Sequence, residues 1–304
     1  RFPNENQFNV LLEAGHLEDA VLADLTDRVV DAHANAILQP EYWGPAQIRS
    51  FAMDNITVLR QNIDAGLNAQ TINQLEELTD AALTTHNDLI EKRQKTHVKA
   101  CHGDLHLGNI CLFNGSAMPF DAIEFNKEFA YADVWADIAF LIMDLETRGH
   151  KDKATRVLNR YLKRGDDFEG LPLLNFFLSY RAAVRAKVAC LQMGGANDNE
   201  KTRLLKDAKM YLAYATQVLK PNTAQRRLIC VGGLSGSGKS TLGRALADET
   251  GAIHIRSDAV RKHLAGVPVM ERAPQDAYSK DNTHKTYQGL MERALLAEPV
   301  GRPI

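Results

Sequence analysis

Apolar residues recur every three to four positions through most of the chain, a period that predicts a mostly helical protein. Val21, Leu22, Leu25, Val29 and Val30 place a helix over 19–37, with Leu17 and two acidic residues at its start. Two more helices are predicted near 46–64 and 70–93, the second with Ile72, Leu75, Leu78, Ala82 and Leu89 on one side. Residues 97–101 then form a short predicted strand. Residues 109–113, the Asn114-Gly115 pair and residues 118–121 predict a hairpin with an Asn-Gly turn. Four helices follow near 131–147, 151–164, 171–193 and 198–219. The polar stretch 221–225, opened by Pro221, predicts a linker. Beyond it come a buried strand over 227–231, a glycine-rich loop, a helix near 239–249, a strand over 252–256 and a helix over 283–297. The pattern predicts two domains, a mostly helical one over 1–220 and an α/β one over 226–304.

Two constellations carry chemistry. In the first, His102, Gly103 and Asp104 open a tight loop that ends at Asn109, and the hairpin returns the chain to Asp121. Asp104 can accept a proton from an attacking hydroxyl, and Asn109 and Asp121 are oxygen donors of the kind Mg²⁺ prefers. The plainer reading makes Asp104 a turn cap and Asp121 an exposed strand residue. In the second, Gly233-x₄-Gly238-Lys239-Ser240 is a full Walker A pattern between a predicted strand and a predicted helix. Its glycines let backbone N–H groups curl around phosphate, Lys239 reaches the β- and γ-phosphates, and the Ser240 hydroxyl suits Mg²⁺. Gly233, Ser235, Gly236, Ser237, Gly238, Lys239, Ser240 and Thr241 are therefore the predicted nucleotide-binding residues. The plainer reading is a Gly/Ser-rich turn. Asp258 is placed to N-cap the helix that follows it. Arg181 and Arg185, one turn apart, either hold phosphate or form a solvated stripe. His106 reads as loop-stabilising.

Composition narrows the partners. The 304 residues are 45% hydrophobic and 24% charged, with a net charge of −2, as in ordinary globular proteins. Apolar runs such as 138–143 are too short to span a membrane, and residues 1–5 lack a secretory apolar core. Cys101, Cys111, Cys190 and Cys230 have no Cys-x-x-Cys spacing, which predicts reduced thiols and a cytoplasmic location. No basic, aromatic-rich tract argues for nucleic acid. The expected partner is a small hydroxyl-bearing molecule, with ATP and Mg²⁺ as cofactors.

The spacing of His102, Gly103, Asp104, Asn109 and Asp121 resembles that of the aminoglycoside phosphotransferase family, which shares the protein-kinase-like fold. The resemblance implies that Asp104 is the catalytic base and that Asn109 and Asp121 are Mg²⁺ ligands. It gives His102 a supporting role and has Asp137, in an Asp-Ile-Ala element, brace the loop. No strand-rich pattern with a glycine-rich cover and a lysine precedes residue 97, so the segment resembles a mostly helical C-terminal lobe alone. Residues 256–261 are similar to the Asp-x-x-Arg pattern of small P-loop kinases, which implies a base at Asp258 and a substrate or phosphate contact at Arg261. No later strand ending in an acidic residue is visible, so the expectation is an incomplete P-loop NTPase or kinase domain. The order of parts resembles a bacterial family in which an aminoglycoside-phosphotransferase-like domain precedes an AAA-type P-loop domain. That implies an ATP-dependent phosphotransferase fused to an ATP-binding domain. The alternative is a nucleotide-binding regulatory protein with a non-catalytic kinase-like scaffold.

Overall fold

The computed structural model describes residues 3–221, 227–234 and 236–304. Ser235 and residues 222–225 of the predicted linker lie outside the described residues. The protein is mostly helical. α1 (Phe8–Glu13), α2 (Asp19–Asn35) and α3 (Pro45–Arg60) lead to α4 (Ala69–Thr85), whose N-cap Asn68 accepts the Thr71 N–H at 2.9 Å. The single helix predicted over 70–93 is two, because the backbone breaks at His86 (φ −103°, ψ 10°) before α5 (Asn87–His97). The break falls in a run of weak helix formers, Thr84 to Asn87.

β1 (Val98–Ala100) precedes the loop that contains Asp104. The hairpin β2 (Ile110–Phe113) and β3 (Ser116–Pro119) follows it, closed by Asn114 at φ 50° and Gly115 at φ 77°. Those two left-handed residues match the right-handed twist of the strands, which is why Asn-Gly stands there. After α6 (Lys127–Ala130), residues 131–133 form β4 (Tyr131–Asp133) where a helix start was expected. β4 pairs antiparallel with β1, Val98 opposite Asp133 and Ala100 opposite Tyr131.

The centre of the core is α7 (Val134–Thr147), in which every residue from Val134 to Leu145 is buried. A helix apolar on nearly all sides must be covered on nearly all sides. α8 (Lys151–Gly165) and α9 (Leu174–Gln192) do this, and α10 (Asp198–Leu219) packs along α9. Beneath α7, Arg93 forms a buried cluster. Its Nε and Nη2 donate to Asp133 at 2.7 and 2.9 Å, and its Nη1 and Nη2 donate to Asp167 at 2.8 and 2.7 Å. Gly170 lies against this cluster so closely that a Cβ would stand 2.2 Å from Trp135 Cδ1 and 2.4 Å from Arg93 Cζ.

The remaining helices are α11 (Lys239–Thr250), α12 (Ser257–Leu264) and α13 (Lys280–Ala297). The strands predicted at 227–231 and 252–256 are not formed among the described residues. Their chain paths meet instead at the last two residues. The Ile229 N–H donates to the Ile304 carbonyl at 2.7 Å, Ile304 N–H to Arg227 at 2.9 Å, and Ile253 N–H to Pro303 at 2.8 Å. Isolated bonds of this kind are too few for a ladder. The Asn159 side chain of α8 ties this part to the helical body, donating to the Ala252 carbonyl at 2.9 Å and accepting the His254 N–H at 2.7 Å. Among the described residues no helix is long and apolar enough to cross a membrane.

Candidate active site

The loop over 102–109 leaves β1 beside β4, and β4 runs straight into α7. That connection delivers acidic side chains of α7 to the underside of the loop. Asp137, 1% exposed, accepts the Gly103 N–H at 2.8 Å and the His102 N–H at 3.3 Å. His33 Nε2 lies 3.1 Å from the same carboxylate, with its Nδ1 2.9 Å from the Tyr161 hydroxyl. Two turns along α7, Asp144 accepts the Leu107 N–H at 2.9 Å. From α9, Arg181 donates through Nη1 to the Gly103 carbonyl at 3.0 Å and through Nε to Ala136 at 2.8 Å. Its guanidinium stacks 4.9 Å from the Phe140 ring centre. Both readings of Arg181 from the sequence are corrected here. It is buried in neither a phosphate site nor a solvated stripe, and it holds the loop backbone.

Gly103 is the pivot. Its φ of 81° is left-handed, and a Cβ there would stand 2.8 Å from the Phe129 carbonyl oxygen. Both the backbone conformation and the lack of space demand glycine.

Held this way, the loop presents Asp104 partly open, its side chain 35% exposed. Asn109 Nδ2 donates to Asp104 Oδ2 at 2.8 Å and to the Asp104 carbonyl at 3.1 Å. Because the amide nitrogen is spent on Asp104, Oδ1 of Asn109 is the atom left for a cation. His106 Nδ1 accepts the Gly108 N–H at 3.0 Å, so Nε2 carries the proton and faces Asp104 Oδ2 at 3.4 Å. Burial pushes the Asp104 carboxyl up. The hydrogen bond from His106 and the positive charges of Arg181 and Arg185 outweigh that and hold it below the usual carboxylate value. Asp104 is therefore ionised at neutral pH.

Asp121 reaches this corner through its neighbour. The Phe120 N–H donates to the Asn109 carbonyl at 2.9 Å, and His102 Nε2 lies 2.9 Å from the Phe120 carbonyl. Asp121 is exposed, has φ 60°, and its carboxylate has no hydrogen-bond or ion-pair partner among the described residues. A non-glycine residue in the left-handed region carries a small backbone cost that the stapled neighbours sustain. Asn109 Oδ1 and the Asp121 carboxylate are hard oxygen atoms of the kind Mg²⁺ prefers. Three side chains that sequence reasoning did not assign to the loop, His33, Asp144 and Arg181, complete its support. Asp144 left a trace, seven residues after Asp137 and hence on the same helical face, and Arg181 stood out as half of an arginine pair.

Asp137 titration reports on this support. Burial raises its carboxyl, but His33, Arg181 and His102 bring it below the ordinary value of 3.8. Above that value both folded and unfolded chains carry the charge, and the stabilisation is fully present. As pH falls through it, the unfolded chain takes the proton first, and stability drains until the folded value is passed. Urea unfolding measured from roughly pH 6 to pH 3 is expected to lose stability less steeply in Asp137→Asn than in the native chain. Equal slopes would remove Asp137 from the account.

The second constellation is more open. Gly233, Gly236 and Gly238 take φ values of 148°, 79° and 82°, and α11 begins directly after Gly238. Lys239 Nζ folds back to the Leu234 carbonyl and lies 3.5 Å from Ser237 Oγ, while Ser240 and Thr241 are exposed at the helix start. Asp258 does not cap α12, because the helix starts at Ser257 and Arg256 is the N-cap. Asp258 instead pairs with Lys262 at 3.0 Å, one turn on. Arg261 donates to the Ala277 carbonyl at 2.8 Å and sits 4.7 Å over the Tyr278 ring, which ties residues 275–278 to α12.

Residues 228–303 match the AAA domain family. Two uncharacterized mycobacterial proteins, from Mycobacterium tuberculosis and Mycobacterium bovis, are each 35% identical over 251 residues, which is 80% of this chain and 49% of theirs. The chain spans about half the length of the curated relatives it matches. An ethanolamine kinase of Plasmodium vivax superposes at a TM-score of 0.40 with 14% identity, covering 63% of this chain and 59% of its own. That overlap assigns neither fold nor activity.

Proposed function

We propose that the loop over 102–109 and Asp121 form the phosphotransferase centre of a kinase-like unit over residues 1–220, which moves the γ-phosphoryl of ATP to a hydroxyl of a small molecule. The observation that carries this reading is the fixed Asp104 carboxylate, ionised, half-open and held by Asn109 and His106. The acceptor oxygen attacks the γ-phosphorus, the bond to the β–γ bridging oxygen breaks, ADP leaves, and Asp104 takes the hydroxyl proton. Asn109 and Asp121 would hold Mg²⁺, which when bound neutralises charge on the phosphate oxygens. His102, Asp137, Asp144 and Arg181 keep the loop in place and touch no reacting atom.

The P-loop over 233–241, in a second unit over 226–304, is proposed as a separate ATP site. Asp258 and Arg261 are its candidate base and substrate contact. The AAA domain match over 228–303 supports nucleotide binding there. A cytoplasmic setting suits both sites.

The deciding experiment is a transfer screen with γ-labelled ATP against hydroxyl-bearing metabolites, run on the longest natural polypeptide that contains these residues. Label on an acceptor supports the reading, and hydrolysis without an acceptor would leave the P-loop alone. In the same protein Lys239→Ala is expected to weaken nucleotide binding at the P-loop by at least about tenfold, roughly 1.4 kcal/mol. Transfer at Asp104 should be retained, and simultaneous loss of both would show that the sites are one.

A further inference from the structure

A cavity of about 390 Å³ lies between the helical body and the P-loop segment. α2 and α8 form one wall, and α11 with residues 254 and 256 forms the other. None of residues 102–121 or 233–241 lines it. Its volume is in the range that encloses a small organic molecule.

Cations outnumber carboxylates on its walls, with Asp19 and Asp248 the acidic lining residues. Arg156, Arg160 and Lys163 follow each other at helical spacing on one face of α8, and Arg244 and Arg256 face them from the other wall. Internal carboxylates satisfy only the first two. Arg156 pairs with Asp19 and, at 3.0 Å, with Asp248, while Arg160 forks onto Asp27 at 2.7 and 2.5 Å. Lys163, Arg244 and Arg256 have no carboxylate partner among the described residues. The cost of assembling them shows in Lys163 itself and in one neighbour, His254. Burial, then Arg256, Arg160 and Arg244, push the Lys163 amine below its ordinary value. Burial, then Arg256 and Arg244, keep the His254 imidazole down in the same way. Leu22, Ala23, Val157 and Ala247 supply an apolar floor.

Unpaired cations drawn from two separate parts of the fold into a half-enclosed space repel one another unless a counter-charge enters. We propose that this cavity binds a small organic molecule bearing two or more phosphate groups, seated between Lys163 on one wall and Arg244 and Arg256 on the other. The apolar floor takes the carbon skeleton. Because the cations come from both walls, the occupant clamps α11, the helix that follows the P-loop, onto the body.

The test uses this chain with Lys239→Ala in place, so that the P-loop contributes no phosphate binding. Inorganic pyrophosphate and fructose 1,6-bisphosphate are titrated by calorimetry, and the thermal midpoint is followed with each. One saturable site per chain is expected, together with a raised midpoint. Arg244→Ala and Arg256→Ala should each weaken binding about tenfold, as loss of a charge-assisted phosphate contact does. Lys201→Ala and Lys206→Ala, which remove equal charge from the exposed side of α10, should leave it unchanged. Arg244 is exposed on α11, so its variant decides the matter if Arg256→Ala does not fold. No saturation by about 1 mM of either probe overturns the proposal. Unaltered binding in Arg244→Ala, or equal loss in Lys201→Ala, does so too.

Discussion

Asp104→Asn is expected to lower phosphoryl transfer by about 10²- to 10⁴-fold while ATP affinity changes little. The substitution isolates proton acceptance from packing. The Asn109 amide and the His106 Nε2 proton both point at Oδ2 of Asp104, and an asparagine oxygen in that place still accepts both. The loop above Asp137 and Asp144 should therefore keep its shape, and unfolding should shift by less than about 1 kcal/mol. Single-turnover kinetics with Lys239→Ala already present would assign the change to this site and not to the P-loop. Undiminished turnover in that background removes Asp104 from the chemistry.

Arg93→Ala should cost about 3–5 kcal/mol of stability. Arg93 is 1% exposed and is the shared counter-charge of Asp133 and Asp167, so truncation takes the guanidinium from the buried Asp133 and the part-buried Asp167. Burial alone would lower the guanidinium value, yet Asp133 and Asp167 raise it far above the ordinary one. Asp133 also caps α7 through the Trp135 N–H at 2.9 Å, so the damage reaches the helix that supports the 102–109 loop. Urea unfolding measures the loss. Asp167→Asn should cost less, because Arg93 keeps its fork on Asp133. A loss below about 1 kcal/mol for Arg93→Ala would mean that water reaches the cluster and screens it.

Local patterns carried much of this architecture. The helical period located α2, α3 and α8 to α10, because each turns an apolar face to a common core, and the length of its apolar run located α7. Asn114 and Gly115 identified the hairpin because few other pairs tolerate two successive left-handed residues. The period failed elsewhere. The break at His86 lies inside a continuous apolar stripe. Residues 131–133 read in sequence as the first turn of a helix, because three residues beside β1 leave no period of their own. The strands expected at 227–231 and 252–256 carry the right residues, and a strand exists only when a neighbour pairs with it.

What the sequence determined by itself is the order and spacing of chemical groups: Asp104 and Asn109 on one tight loop, Asp121 at the end of the hairpin, and the glycine loop that ends in Lys239. Those are short-range facts, set by turns and by helix starts. Tertiary structure decided which distant groups hold them. Arg93 meets Asp133 and Asp167 across 40 and 74 positions of chain. His33 meets Asp137 across 104, and Arg181 reaches Gly103 across 78. Contacts at such separations depend on how helices cross, and no local period encodes that. The same holds for the cavity, whose cations come together only because α8 and α11 face each other.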